Sequence, residues 1–466
     1  MAAVGLLQIT SRSMPIGFGA THDTMLQSAF RSFRDEYGPS RTRDGGKAEL
    51  ARGYDVPAMH RVVTICHWGR SGSLLLSSYL DNHPHIVMLP YAASESIYNF
   101  FQEYESLSIW EKLVAYPAYS ASKKGAEGDF FLKNNPCGDF AIEAVDYYAA
   151  VHALFEVHRD APSSWLDTRK AFFQLIHAVY GVATGRSHAT PRPLMVHAQH
   201  YMDERLAARL VEDFPEAQFI HTIRDPITGI DSWFDRRLEM ELYGCGNRLE
   251  TKARYLDIAV ATMIDLTAWD AGHRHMESRT RAIRFEDMHT EPEAMLRKLA
   301  DWLRLPFLPC MLESTWNGSP YIVQIRGVPC CGPNPANAKR RSRNLNAADR
   351  LLIYALMHAN FAAWNYPCPA AMRRRWLRLC AIALTFLLPT KMELLTARWV
   401  VLQQALPALR NGRIAFALGA PWFLLARRLR MMWIVVKEAR DRLSGGNTLL
   451  TPLMVDCVAK RFTPLK

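Results

Sequence analysis

Apolar runs of strand length, each leading into a stretch with helical spacing, recur along this chain and constrain its architecture more than any other feature. "RVVTICHW" (Arg61 to Trp68) is rich in β-branched residues, and the following "SLLLSSYLDNHP" stacks Leu75 on Tyr79 and Leu76 on Leu80 at i, i+4. Ala217 to Ile223 is a second such run, preceded by the helical "DERLAARLVEDF" and followed by Pro226, which suits the first turn of another helix. "RAIRFEDM" (Arg281 to Met288) is a third, leading into "TEPEAMLRKLADWLRL", where Thr290 or Glu291 can cap and Met295, Leu299 and Leu303 form one stripe. "LMVHAQHYM" reads as a further strand that ends near His197 and His200. Strands alternating with helices predict an α/β fold, a mainly parallel sheet covered by helices on both faces.

The organisation around that sheet follows from composition. Residues 1–59 are mixed and polar and read as an N-terminal arm; 60–366 hold the alternating pattern; within it, 95–190 form a helical insertion suited to acceptor recognition. After "NYPCP" the composition shifts, and 367–466 read as basic amphipathic helices. The uncharged stretch between Arg413 and Arg427 is shorter than the roughly 20 residues of a spanning helix. Trp422, Leu425, Leu429, Met432, Trp433 and Val436 fall on one stripe and Arg427, Arg428 and Arg430 elsewhere. Two readings stay open for that stripe: contact with a membrane surface, or packing against protein.

The formal net charge of +11 favours an anionic partner: a nucleotide, a lipid surface, an acidic glycan or nucleic acid. The basic residues are spread over several segments without an aromatic recognition module, which argues against nucleic acid. Nine cysteines without metal-ligand spacing read as thiols in a reducing compartment, and no metal site is expected. The first residues lack the pattern of a signal peptide, so the expected location is cytoplasmic, with peripheral membrane contact under the first reading of the C-terminal stripe.

Two loops carry the chemistry. In "GRSGS", Gly69 and Gly72 let backbone N–H groups approach an anion, Ser71 and Ser73 supply hydroxyls, Arg70 supplies charge, and the following helix directs its positive end at the same place. The loop is P-loop-like but not a Walker A sequence, since no lysine precedes the helical serine. Arg224 stands at the end of a strand, and Ser232, eight residues on, can face back from the next helix.

These loops, with "IRFEDMHTEPEAMLRKLADWLRLPF" after them in the same order, resemble the sulfotransferases that use 3'-phosphoadenylyl sulfate (PAPS), over about Arg61 to Tyr366. The resemblance implies sulfuryl transfer from PAPS, without a metal, to a hydroxyl or amine of a carbohydrate, lipid or lipid-linked acceptor. It assigns Gly69, Arg70, Ser71, Gly72, Ser73 and Leu74 to the 5'-phosphosulfate and Arg224 and Ser232 to the 3'-phosphate. Arg340 and Arg341, in the run from Lys339 to Arg343, fall where many members close a late loop over that phosphate. Leu74 departs from the Thr or Ser of many members, and Arg70 from the Lys of the cytosolic ones; an arginine there acts by charge alone. For the base, the resemblance points first to Glu95, with His197 and His200 as runners-up, while Asp225 and Glu286 read as loop-orienting residues. Other readings are a P-loop-type kinase, which would need a Walker lysine and an acidic metal ligand, and a non-catalytic scaffold at a membrane surface.

Overall fold

The computed structural model describes residues 45–67, 71–89, 94–123, 142–200, 202, 204–232, 276, 278–325, 328–338, 345–389, 393–394, 397–398 and 400–443, though not the side chains of Glu95 and His200 among them. Its centre is a mainly parallel five-stranded sheet in the order β2-β3-β1-β4-β5, formed by β1 (Val62–His67), β2 (Ile86–Leu89), β3 (Leu194–His200), β4 (Gln218–Ile223) and β5 (Thr280–Arg284). β3 pairs in parallel with both β1 and β2, Val63 opposite Val196 and Val87 opposite Met195. With β1 at the middle, the chain goes to one side for β2 and β3 and to the other for β4 and β5, so the order reverses beside β1. Open sheets of this kind bind ligands at such a reversal, beyond the carboxyl ends of the strands.

The four strands expected from the sequence are present. β2 is an addition, four wholly buried residues too short to show a period. The third apolar run is shorter than expected: its strand stops at Arg284, and Phe285–Thr290 is already helical.

Contacts divide the chain into two units. The first contains residues 1–67, 72–221 and 288–334. Its helices are α1 (Gly45–Arg52), α2 (Ser73–Leu80), α3 (Ser94–Glu103), α4 (Ile109–Lys123), α5 (Ala144–His158), α6 (Arg169–Ala183) and α7 (Glu204–Asp213), with Pro292–Leu303 further on. Helix α6 is the keystone, every residue from Ala171 to Ala183 being buried, a placement its apolar run requires. Thr168 caps it by accepting from the Ala171 N–H at 3.1 Å. Phe173 of α6 meets His197 of β3 edge-on at 5.2 Å, and Phe172 stacks on Phe100 of α3 at 5.8 Å. The helices expected as an insertion therefore share one core with the sheet. The end of the expected N-terminal arm joins it too: Ala51, Val56 and Met59 are fully buried, and Gln174 of α6 donates to the Met59 carbonyl at 2.6 Å. Met295, Leu299 and Leu303 form the buried stripe of Pro292–Leu303, whose N-cap, Glu291, makes no side-chain capping bond.

The second unit contains residues 68–71, 222–287 and 335–466. Among its described residues are the helix 226–232, α9 (Phe285–Thr290, up to Asp287), α11 (Ala347–Leu356), α12 (His358–Ala363), α13 (Arg375–Thr385) and α14 (Ile414–Leu443), where α8 denotes 226–232 and α10 denotes Pro292–Leu303 of the first unit. α11 opens on a reciprocal cap, the Asn346 side chain accepting from Asp349 N–H at 2.9 Å and the Asp349 carboxylate from Asn346 N–H at 2.8 Å.

Candidate functional site

β1 ends at His67, and the chain reappears at Ser71 and Gly72 before α2. Gly72 occupies the N-cap of α2 with φ 91°, a left-handed conformation that costs any side-chain-bearing residue about 1 kcal/mol or more. Without a side chain, Gly72 leaves the backbone beside the first N–H groups of α2 uncovered by its own residue. Ser71 and Ser73 are both buried, and Leu74 is half-buried in the first turn. Ser71 Oγ lies 2.7 Å from Thr222 Oγ1. This bond decides the geometry, because Thr222 is the penultimate residue of β4 and Arg224 follows two residues later, at most about 7 Å along the chain. Ser71 of the first loop is thus bonded to the strand end that leads into Arg224.

Arg224 is buried, its guanidinium 4.1 Å from the centre of the Phe285 ring. An aromatic face attracts a guanidinium by its charge and holds it in place. Asp225 accepts from the Thr228 N–H at 2.8 Å and so starts α8, which carries Ser232, itself buried. Glu286 accepts from the Asp225 N–H at 3.3 Å and from the Tyr366 hydroxyl at 2.6 Å. The Arg284 guanidinium lies 4.7 Å from the Tyr366 ring centre. Asp225 and Glu286 thus hold the loop that presents Arg224, and burial pushes the Asp225 carboxyl up to about 6, with Glu286 adding to the shift and Thr228 N–H and Arg224 opposing it. Thr222, Phe285 and Tyr366 were not singled out from the sequence; the one local signal is that Thr222 lies two residues before Arg224.

The residues proposed as base are distributed differently from expectation. His197 is mid-strand rather than at a strand end. It is fully buried, Nε2 is 3.2 Å from Thr64 Oγ1, its ring packs on Phe173 and His177, and burial holds its pKa well below the ordinary value. It is a core residue and leaves the set of candidate bases. His200 is the last residue of β3, in register with His67 at the end of β1, hence on the sheet edge from which the glycine loop departs. Glu95 is the second residue of α3, the helix that follows β2. Gly69, Arg70, Arg340 and Arg341 lie outside the described residues. Among the described residues no group of three or more His, Cys, Asp and Glu is placed to hold a metal ion.

The sequence profile of the Sulfotransferase family matches residues 63–309. The chain belongs to the sulfotransferase family. Solved structures similar to this sulfotransferase include the sulfotransferase domain from the curacin biosynthetic pathway, 17% identical over 66% of this chain and 99% of that one, with a TM-score of 0.37. The sulfotransferase domain of the Synechococcus PCC 7002 olefin synthase is 16% identical over 68% and 99%, with a TM-score of 0.36. Sulfotransferase STF9 from Mycobacterium avium is 15% identical over 66% and 84%, with a TM-score of 0.31. No curated protein sequence matches the chain. The family match spans both loops and ends before the C-terminal helices.

Proposed function

We propose that this sulfotransferase takes its sulfuryl group from PAPS and delivers it to a hydroxyl of a carbohydrate, lipid or lipid-linked acceptor, working in the cytoplasm and at a membrane surface. The observation that carries the reading is the Ser71–Thr222 hydrogen bond at 2.7 Å. It ties Ser71, in a loop suited to one phosphate, to a strand end whose buried arginine suits another, and PAPS carries anionic groups at both its 5' and 3' positions.

In this reading Ser71, Ser73 and the first N–H groups of α2, with Arg70, hold the phosphosulfate, while Arg224 and Ser232 hold the 3'-phosphate and Arg340 and Arg341 close over it. The acceptor oxygen forms a bond to sulfur as the bond from sulfur to the bridging oxygen breaks. The electron pair of the broken bond leaves on the phosphate of adenosine 3',5'-bisphosphate, and the acceptor proton passes to a base. Positive charge and helix N–H groups fixed around the leaving phosphate supply the stabilisation that such transfers need. Glu95 is the proposed base; His200, at the sheet edge beside the loop, is the competing assignment. Glu95→Gln should lower kcat by about 100-fold or more and leave PAPS binding intact, whereas His200→Gln should change kcat less than tenfold; the reverse pattern moves the base to His200.

Thermal shift tests the donor. PAPS and adenosine 3',5'-bisphosphate should raise the unfolding temperature without metal, and ATP with magnesium should do so weakly; stabilisation by ATP with magnesium alone favours the kinase reading instead.

A further inference from the structure

Residues 370 to 443 contain fourteen Lys and Arg against three Asp and Glu, an excess of eleven, and the whole chain has a formal net charge of +11. The basic character of the protein therefore belongs to this stretch, and the rest of the chain is neutral. Within the stretch, α14 is 30 residues long. Leu418, Trp422, Leu425, Leu429, Trp433 and Val436 recur along it every three or four residues, which puts them on one face, and all are 46–73% exposed. The helix is seated by other residues: Ala417 and Val435 are buried, and Arg428 pairs with Glu393 and donates to the Phe386 carbonyl at 2.8 Å. The apolar stripe thus faces solvent while part of the polar complement faces the protein, the reverse of a helix folded onto its own core. Exposure continues in the turns before it, with Leu387 at 78%. A contiguous apolar face of this extent marks an interaction surface. No described helix is long and apolar enough to cross a membrane.

We propose that this face of α14 docks in the plane of an anionic lipid surface, the leucines and tryptophans entering the headgroup boundary and the net positive charge of residues 370 to 443 drawing the helix to the negative headgroups. Tryptophan, with an apolar ring and one N–H, suits that boundary. A second copy of the chain would cover the same leucines but would bring a further excess of eleven positive charges to the contact. An anionic lipid surface satisfies both the apolar face and the charge.

Sedimentation of the full chain with vesicles tests this without donor or turnover, so its failure would leave the sulfuryl-transfer reading in place. With vesicles of phosphatidylcholine containing about one-third phosphatidylserine, the chain should bind at least about tenfold more tightly than to phosphatidylcholine alone, and added salt should weaken that binding. The triple variant Trp422→Glu, Leu425→Glu, Leu429→Glu alters only exposed side chains and should bind at least about 100-fold more weakly. If that variant does not fold, quenching of tryptophan fluorescence by brominated lipid in the native chain, reduced in Trp422→Phe with Trp433→Phe, reads the same contact. Equal binding to neutral vesicles, or undiminished binding or quenching in the variants, overturns the proposal. So does a lipid-free dimer, by sedimentation velocity, that the triple variant dissociates.

Discussion

In the proposed reading, replacing Arg224 by alanine should sharply weaken the protein's preference for adenosine 3',5'-bisphosphate over adenosine 5'-monophosphate. The guanidinium is buried against Phe285 at 4.1 Å, and in the proposed reading it grips the 3'-phosphate through two parallel N–H groups. Two charge-assisted hydrogen bonds at about 1.5–3 kcal/mol each amount to about 3–6 kcal/mol, or about 10²–10⁴-fold in affinity. Losing the contact with Phe285 costs the fold about 1–2 kcal/mol besides, and circular dichroism and thermal unfolding show whether the variant remains folded. Isothermal titration of both nucleotides against both proteins closes a double-mutant cycle. The preference of the native protein for the bisphosphate should fall by at least about 100-fold in Arg224→Ala, with the monophosphate bound alike by both and any remaining preference carried by Ser232, Arg340 and Arg341. Arg224→Lys should fall between, because an ammonium keeps the charge and lacks the fork. A folded Arg224→Ala whose preference for the bisphosphate is undiminished would refute the reasoning.

Thr222→Val keeps the shape of the strand end and takes a partner from the buried Ser71 hydroxyl, so denaturant titration should show a loss of about 1–2 kcal/mol and PAPS binding should weaken with it. Gly181→Ala would place a Cβ 1.9 Å from the buried Tyr54 hydroxyl, so it should destabilise by about 2–3 kcal/mol; an unchanged unfolding midpoint would mean that the segment around Tyr54 does not pack on α6. Acid titration should separate two groups of opposite sign. Burial lowers His177 to about 4, below its unfolded value, so stability is lost as pH falls from about 6.5 toward 4, and His177→Gln should flatten that slope. Asp225 at about 6 lies above its unfolded value, so its ionisation costs the folded state stability as pH rises from about 4 to 6, and Asp225→Asn should gain on the native protein over that window, by up to about 3 kcal/mol.

Much of this was legible in the residues. β-branched runs and helical spacing give four of the five strands and the stripe of Met295, Leu299 and Leu303, because burial on a sheet or helix face imposes a period. β2 escaped because four residues buried on both faces have none. The order Ser71 before Arg224 was readable, but the bond from Ser71 to Thr222 joins residues 151 apart and depends on β1 and β4 being neighbours, which no local pattern encodes. His197 went astray for a related reason: a histidine in an apolar strand looks the same whether it faces a cleft or, as here, a packed helix. The stripe on α14 was visible as a period, whereas its outward orientation is set by the ion pair of Arg428 with Glu393 and the burial of Val435.

The donor assignment is tested most directly by incubating the protein with sulfur-labelled PAPS and an extract of lipids and glycans, then following label and nucleotide by mass spectrometry. Label should appear covalently on an acceptor in equal amount to the adenosine 3',5'-bisphosphate released, and both should vanish in Arg224→Ala at limiting PAPS. Label recovered only as unreacted PAPS or inorganic sulfate, with the native protein folded and PAPS unbound, would contradict the account.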